Sequence, residues 1–256
     1  MLCLTSERID SSFFRSGKGE LLVKSATLKE LLDLGLHFGH LKSYSHPKSK
    51  AFIFTVKDGI SVIDLEKTKE GLEEALGFIK KLAKEDKTIL FIGTKKQVSS
   101  FLKEQAEKIG MPYIHRRFMG GTLTNFGIVL KNIEKLKKLE EKEQELRDKS
   151  KKEHRQVERQ VEKIRESLGG LTKLEKLPDA MFIVDVIKEK NAVLEANRLG
   201  IKTVAIVDTN GDPSKIDYSI PANDDSKKGV EYIVSRVIEA YLEGKKGKKK
   251  EKNADN

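Results

Sequence analysis

The sequence predicts an α/β protein in which a parallel sheet flanked by helices is interrupted by an inserted antiparallel coiled-coil hairpin. Three observations carry this expectation. Short, continuous apolar runs at Thr88–Ile92, Ala180–Val184 and Thr203–Val207 have the composition of strands buried on both faces. Between them lie segments with apolar residues at three- and four-residue spacing, the strand–helix alternation of a sheet covered on both sides. From Phe126 to Leu168 that alternation stops, and an almost purely charged stretch carries only narrow apolar stripes.

Along the chain, residues 1–24 lack periodicity. Ser6, Ser11, Ser12, Ser16, Gly17 and Gly19 mark them as a flexible arm, and Glu7, Asp10 and Glu20 argue against an organellar presequence, a segment type poor in acids. Leu28, Leu31, Leu32 and Leu36 predict a short amphipathic helix ending between Gly35 and Gly39. Ala51–Thr55 and Ile60–Leu65 flank Asp58-Gly59, a hairpin-turn pair. Leu72, Leu76, Ile79 and Ala83 then recur at helical spacing. The run at Thr88–Ile92 stops at Gly93, and a helix bearing Val98, Leu102 and Ala106 ends at Gly110-Met111-Pro112, before a short strand at Tyr113-Ile114. After the charged stretch come Ala180–Val184, a helix around Ala192, Val193, Ala196 and Leu199, strands at Thr203–Val207 and Tyr218–Ile220, and a last helix using Val230, Ile233, Val234, Val237, Ile238 and Tyr241.

In the insertion, Val129, Ile133, Leu136 and Leu139 form one stripe, and Val157, Val161, Ile164 and Leu168 another. Stripes this narrow suit two helices packed on each other rather than a globular core. The spacing lapses at Arg147–Lys152, where a hairpin turn is expected, and Gly169-Gly170 closes the second arm. The chain thus divides into a flexible arm (1–24), an α/β body in two parts (25–121 and 169–243), a coiled-coil hairpin insertion (122–168) and a disordered lysine-rich tail (244–256).

Composition limits the function. The chain has 256 residues, 38% hydrophobic and 35% charged, so part of it lies outside any core. A net charge of +10 and a pI near 9.4 favour an acidic partner such as nucleic acid. No stretch approaches the roughly 20 apolar residues of a membrane span, and no membrane partner is expected. Cys3 is the only cysteine, which excludes an internal disulfide and a cysteine-based zinc knuckle.

The densest chemistry lies in His115–Phe126, HRRFMGGTLTNF. Arg116 and Arg117 offer guanidinium forks that match phosphate oxygens. Gly120 and Gly121 let backbone N–H groups approach a ligand, and Thr124 and Asn125 sit at a helix start, where unpaired N–H donors favour anions. The segment is not a P-loop, which needs G-x-x-x-x-G-K-S/T. Further cations stand beside loop signals: Lys42, Lys48 and Lys50, then Lys95 and Lys96. All eleven residues are candidates for RNA binding through phosphate and shape. For Phe118 and Phe126, anchoring the loop in the core is favoured over stacking on a base.

Catalytic readings are weaker. Asp185 and Asp208 fall at the C-terminal ends of buried strands, where α/β folds place active sites. A Mg²⁺- and nucleotide-dependent phosphoryl enzyme built on them is the competing hypothesis. Such sites need carboxylates converging from several strands, whereas the first buried strand ends in Gly93-Thr94-Lys95-Lys96, and Asn210-Gly211 and Asp212-Pro213 are turn formers. His37 and His40, with His46 nearby, have the spacing of a metal pair, but no cysteine or clear carboxylate completes it. The expectation is no catalytic residue, no metal, no cofactor and no small-molecule substrate. A free helical-hairpin adaptor without an RNA role is a third reading.

An ordered series of motifs points further: LHFGH (Leu36–His40), Pro47-Lys48 leading to FIF, IDLEKT (Ile63–Thr68), FIGTK (Phe91–Lys95), HRRFMGGTLTNF, SLGGL (Ser167–Leu171), LPDAMFIVD (Leu177–Asp185), EANRLGI (Glu195–Ile201), AIVDTNGDP (Ala205–Pro213) and IPANDD (Ile220–Asp225). From about residue 27 to 242 the chain resembles the small-subunit ribosomal protein S2 family of bacterial and organellar type. That resemblance implies a flavodoxin-like body carrying a coiled-coil hairpin. It also implies a structural role in the small subunit, with small-subunit rRNA and other ribosomal proteins, including the mRNA-binding protein S1, as partners. A cytoplasmic, ribosome-bound location follows, ahead of an organellar ribosome. The family typically has Trp where this chain has Phe118 and Phe126.

Overall fold

The computed structural model describes residues 26–146 and 151–254. The expected N-terminal arm and most of the expected hairpin turn lie outside the described residues. Helix α1 (Leu28–Asp33) opens with a capping box between Thr27 and Glu30. It leads into β1 (Phe38–Leu41), β2 (Ile53–Lys57) and β3 (Ile60–Ile63), an antiparallel sheet of order β1-β3-β2. The expected hairpin turn is present: Asp58 and Gly59 both take positive φ, 52° and 78°, as a tight two-residue hairpin requires. The LHFGH segment enters a strand rather than only ending a helix. Its side chains Phe38 and Leu41 stay exposed, so no buried alternation marks it in the sequence.

Helix α2 (Leu65–Lys84) starts from Asp64, whose side chain accepts from the Glu66 N–H. Then follow β4 (Ile89–Ile92), α3 (Ser99–Ile109), β5 (Tyr113–Ile114), α4 (Phe126–Leu146), α5 (Lys151–Leu168), β6 (Ala180–Ile183), α6 (Lys190–Leu199), β7 (Lys202–Val207), β8 (Tyr218–Pro221) and α7 (Lys227–Ala254). The five later strands form one wholly parallel sheet of order β5-β4-β6-β7-β8. The chain therefore adds its second strand on one side of its first and the remaining three on the other. This is the doubly wound order, with its reversal between β4 and β6.

Every residue of β4 and β6 is buried, as their unbroken apolar runs imply. Alternate side chains serve opposite layers. Phe91, Phe182, Val204, Ile206 and Ile220 pack with α2, α3 and α7. Leu90, Ile92, Met181, Ile183 and Ala205 pack with α6, the loop residues Phe118 and Leu123, and the inner ends of α4 and α5 through Val129, Ile133 and Leu168. Farther out, α4 and α5 pack on each other through Leu136, Val157 and Val161, and the Arg165 guanidinium holds Glu140 at 2.7 Å. Among the described residues, no helix is long and apolar enough to cross a membrane.

The last helix differs from the sequence expectation. It continues through the lysine-rich segment to Ala254, where a disordered tail is expected from residue 244. Gly244 packs against the end of α2, and Lys245 bonds Asp86 at 2.5 Å, so the body's contacts carry the helix past its last apolar turn. Lysine is itself a good helix former.

Two glycines of α2 separate packing from propensity. A Cβ at Gly71 would stand 2.5 Å from the Ser219 carbonyl oxygen and 3.1 Å from Pro221, so Gly71→Ala pushes the helix off β8 and costs about 1–3 kcal/mol. Gly77 has nothing within 4 Å of the same added atom, and Gly77→Ala stabilises by about 0.5–1 kcal/mol. Urea unfolding midpoints of the two variants should move in opposite directions.

Candidate functional site

Open parallel sheets bind ligands outside the carboxyl ends of their strands, and this end of the sheet holds most of the chain's unusual chemistry. Residues following β4, β6, β7 and β8 converge there with His40 from β1. The Lys95 ammonium lies 2.7 Å from Asp224, 2.7 Å from Asp225 and 3.2 Å from Asp185, and its side chain is only 13% exposed. His40 Nδ1 lies 3.1 Å from Asp208, off the line of a hydrogen bond, and Nε2 lies 3.7 Å from Asp225. The Asp208 carboxylate accepts from the Thr209 N–H at 2.5 Å and the Asp224 N–H at 3.3 Å.

The electrostatics follow from crowding. Burial and the neighbouring charge of Asp185 push Asp224 up to about 7, with Lys95 pulling the other way and Asp208 adding to the rise. Burial disfavours the charged ammonium of Lys95, but bonds to Asp224 and Asp225 and the charge of Asp185 outweigh it and raise its pKa. Contact with Asp208 raises the His40 imidazole above its usual range despite partial burial, and Asp224 and Asp225 add to the effect.

The carboxylates expected not to converge therefore do converge, around a lysine. Among the described residues, His40, Asp224 and Asp225 each bring a ligand atom to within 4.8 Å of the others, a geometry suited to a cation. The Lys95 ammonium already pairs with both aspartates, so a divalent ion would have to displace it. His37 lies in the turn before β1 and is not part of this group, whereas His40 lies within β1. His37 lies against the Phe38 ring at 4.0 Å, and burial lowers its pKa. His46 accepts from the Lys48 N–H.

The His115–Phe126 loop does bind an anion, and that anion belongs to the protein. Glu195 of α6 accepts from the N–H groups of Gly121 (2.5 Å), Leu123 (2.9 Å) and Thr124 (3.0 Å) and from the Thr124 hydroxyl (3.2 Å). Burial opposes its charge, but the bonds from Thr124, Gly121 and Leu123 prevail and hold the carboxyl below the usual range. The donors of Gly121 and Thr124, expected to meet a phosphate, are thus engaged internally. Asn125 donates its N–H to the Gly121 carbonyl oxygen at 2.9 Å. Phe118 is buried and Phe126 partly so, both against the lower core layer. The sequence carried one signal for this arrangement: an acid, Glu195, on the apolar side of α6 among Ala192, Val193 and Ala196.

The remaining candidates separate by freedom. Lys95 is locked in the carboxylate cluster, its ammonium shared among Asp185, Asp224 and Asp225. Lys48 bonds Ser214 at 2.6 Å and lies 3.5 Å from Asp212. Arg116 pairs with Glu166 at 2.8 Å, both exposed, an ion pair weak enough to exchange partners. Lys42, Lys50, Lys96, Arg117 and Gly120 are exposed, and among the described residues the four cations carry no ion pair. The elements bring Lys48, Lys50, Lys96, Arg116 and Arg117 to one rim. Lys96 and Arg116-Arg117 leave the same end of paired strands β4 and β5, which run in register at Ile92 and Ile114. The turn bearing Lys48 and Lys50 is tied to the loop after β7 by His46 N–H to the Thr209 carbonyl (2.8 Å) and Ser49 Oγ to the Gly211 carbonyl (2.6 Å).

Comparison with known proteins agrees with this architecture. Residues 31–244 match the family model described as Ribosomal protein S2. Over 224 residues, 87% of this chain and 84% of the relative, the sequence is 43% identical to the small ribosomal subunit protein uS2 of Coprothermobacter proteolyticus.

Removing the internal anion tests the loop. Glu195→Ala strands three buried or half-buried N–H donors and should cost about 2–3 kcal/mol at neutral pH. Because the folded-state pKa is depressed, the contribution of Glu195 is complete above its unfolded value of about 4.3 and is lost as pH falls through the lower folded value. Urea midpoints should therefore drop on acidification in that window in the unaltered protein, and Glu195→Gln should remove that part of the drop.

Proposed function

The chain belongs to the ribosomal protein S2 family, and on that premise we propose that it binds small-subunit rRNA through the cationic rim at the C-terminal end of its parallel sheet. As a member of that family it is a structural constituent of the small ribosomal subunit and not an enzyme. The observation that carries the rRNA reading is the sorting of cations at this rim. Lys42, Lys50, Lys96 and Arg117 face solvent without acidic partners among the described residues, beside an Arg116 that is only superficially paired. Exposed cations on a rigid sheet edge suit a phosphate backbone, which is read by shape rather than by base sequence.

Lys95 and Glu195 support this surface without touching RNA. The lysine ties the strand ends together, and the glutamate fixes the loop that presents Arg116 and Arg117. The protein would act in the cytoplasm as part of the ribosome. Docking of the mRNA-binding protein S1 belongs to the same reading and would use a different surface. The antiparallel sheet and its flanks expose Phe38, Leu41, Tyr44 and Phe54, apolar area of the kind that protein partners cover.

Co-sedimentation with small ribosomal subunits tests the assignment. Arg116→Ala combined with Arg117→Ala should lower occupancy and flatten its salt dependence by about 1–2 in log–log slope, with the unfolding midpoint nearly unchanged. Lys95→Ala should instead lower the unfolding midpoint, by leaving three carboxylates facing one another. Undiminished occupancy of the double arginine variant would sink the rim assignment.

A further inference from the structure

We infer that the C-terminal extension of α7 is a second RNA-backbone contact, separate from the rim. Lys245, Lys246, Lys248, Lys249, Lys250 and Lys252 fall within eight residues that contain a single acid, Glu251. The helix that carries them begins at Lys227, immediately after the Asp224-Asp225 end of the sheet, and runs back along α2. Lys80 bonds Glu243 at 2.5 Å, Gly244 packs on Lys80 and Ala83, and Gly247 lies beside Lys84. At 1.5 Å per residue, Gly247 stands about 30 Å along the helix from Lys227. The extension therefore leaves the body at the end of the sheet opposite the rim, and the helix continues about two turns beyond Gly247.

Its chemistry selects the partner. From Lys245 to Asn253 there is no apolar residue, so the segment cannot insert an apolar face into a lipid surface as an interfacial helix must. In the sequence, lysines recur at i,i+3 and i,i+4 spacing, and like charges at that spacing work against a helix. A row of phosphates relieves that repulsion, while the helix's C-terminal dipole already favours cations there. A polyanionic backbone is the occupant that satisfies both conditions. Its identity as RNA rests on the ribosomal reading above. The protein then grips RNA at two ends of one rigid body.

The test uses the full chain with Lys246, Lys248, Lys249, Lys250 and Lys252 all changed to Gln, which keeps helix propensity and removes charge. Lys245 is left in place because it bonds Asp86. Binding to small-subunit rRNA is measured across a salt series, beside the unaltered chain and a Lys96→Ala, Arg117→Ala rim variant. The expected result is a slope shallower by about 4 in the five-lysine variant, with a loss additive to that of the rim variant. An unaltered slope overturns this inference alone. Failure of the unaltered chain to bind rRNA at all overturns it together with the rim reading. Equally tight binding of the unaltered chain to phosphatidylserine vesicles, abolished in the five-lysine variant, overturns the assignment to RNA.

Discussion

The ammonium of Lys95 holds the working end of the molecule together. Its three carboxylate partners come from the chain just after β6 and just after β8, while the lysine itself follows β4. Asp225 reaches onward to His40, and the Thr209 hydroxyl accepts from the His40 N–H at 2.9 Å, so the small antiparallel sheet is fastened to the same knot. Four aspartates gathered this closely would repel one another, and taking charges out of water is costly. The arrangement stands because each carboxylate has a cation or a backbone N–H to meet. The lysine is thus the condition under which the strand ends can approach, and everything displayed around them inherits its position from that contact.

The same logic recurs at Glu195, with the charges reversed. A loop rich in unpaired N–H groups attracts an anion, and α6 supplies one. Both of the chain's most suggestive ligand-like features are therefore satisfied from within: a cation among acids and an acid among donors. What is left for an external polyanion is the set of cations that no internal acid claims. A strongly basic protein presents its binding surface by exclusion, since groups already neutralised contribute shape rather than attraction.

This division explains which features could be read from the chain. Continuous apolar runs such as Ile89–Ile92 and Ala180–Ile183 reveal buried strands because burial on both faces leaves a one-dimensional trace. Asp58-Gly59 does so because its backbone conformation restricts residue type. Charge pairing leaves no such trace. Lys95 and Asp225 are 130 residues apart in the chain, and nothing local distinguishes Lys95 from its neighbour Lys96, although one is locked and the other free. Likewise the loop at Gly120-Gly121 correctly advertises an anion site while concealing that Glu195 fills it. The short strand at Phe38–Leu41 leaves no trace in the sequence pattern because Phe38 and Leu41 are exposed. The lysine-rich end of α7 leaves none either, because packing at Gly244, not apolar periodicity, extends the helix.

The paired helices α4 and α5 divide their stability unevenly. Near the sheet, Val129, Ile133 and Leu168 share the main core; farther out, among the described residues, Leu136, Val157 and Val161 are buried, with Leu139, Leu146 and Ile164 partly so. Opening free energy should then decline along the described turns of the pair as the apolar packing thins away from the sheet. Amide protection would follow as a gradient rather than a step. A partner that clasped the outer turns of α4 and α5 would add contacts where the pair's own apolar packing is thinnest, so part of its binding free energy would go into holding the two helices together.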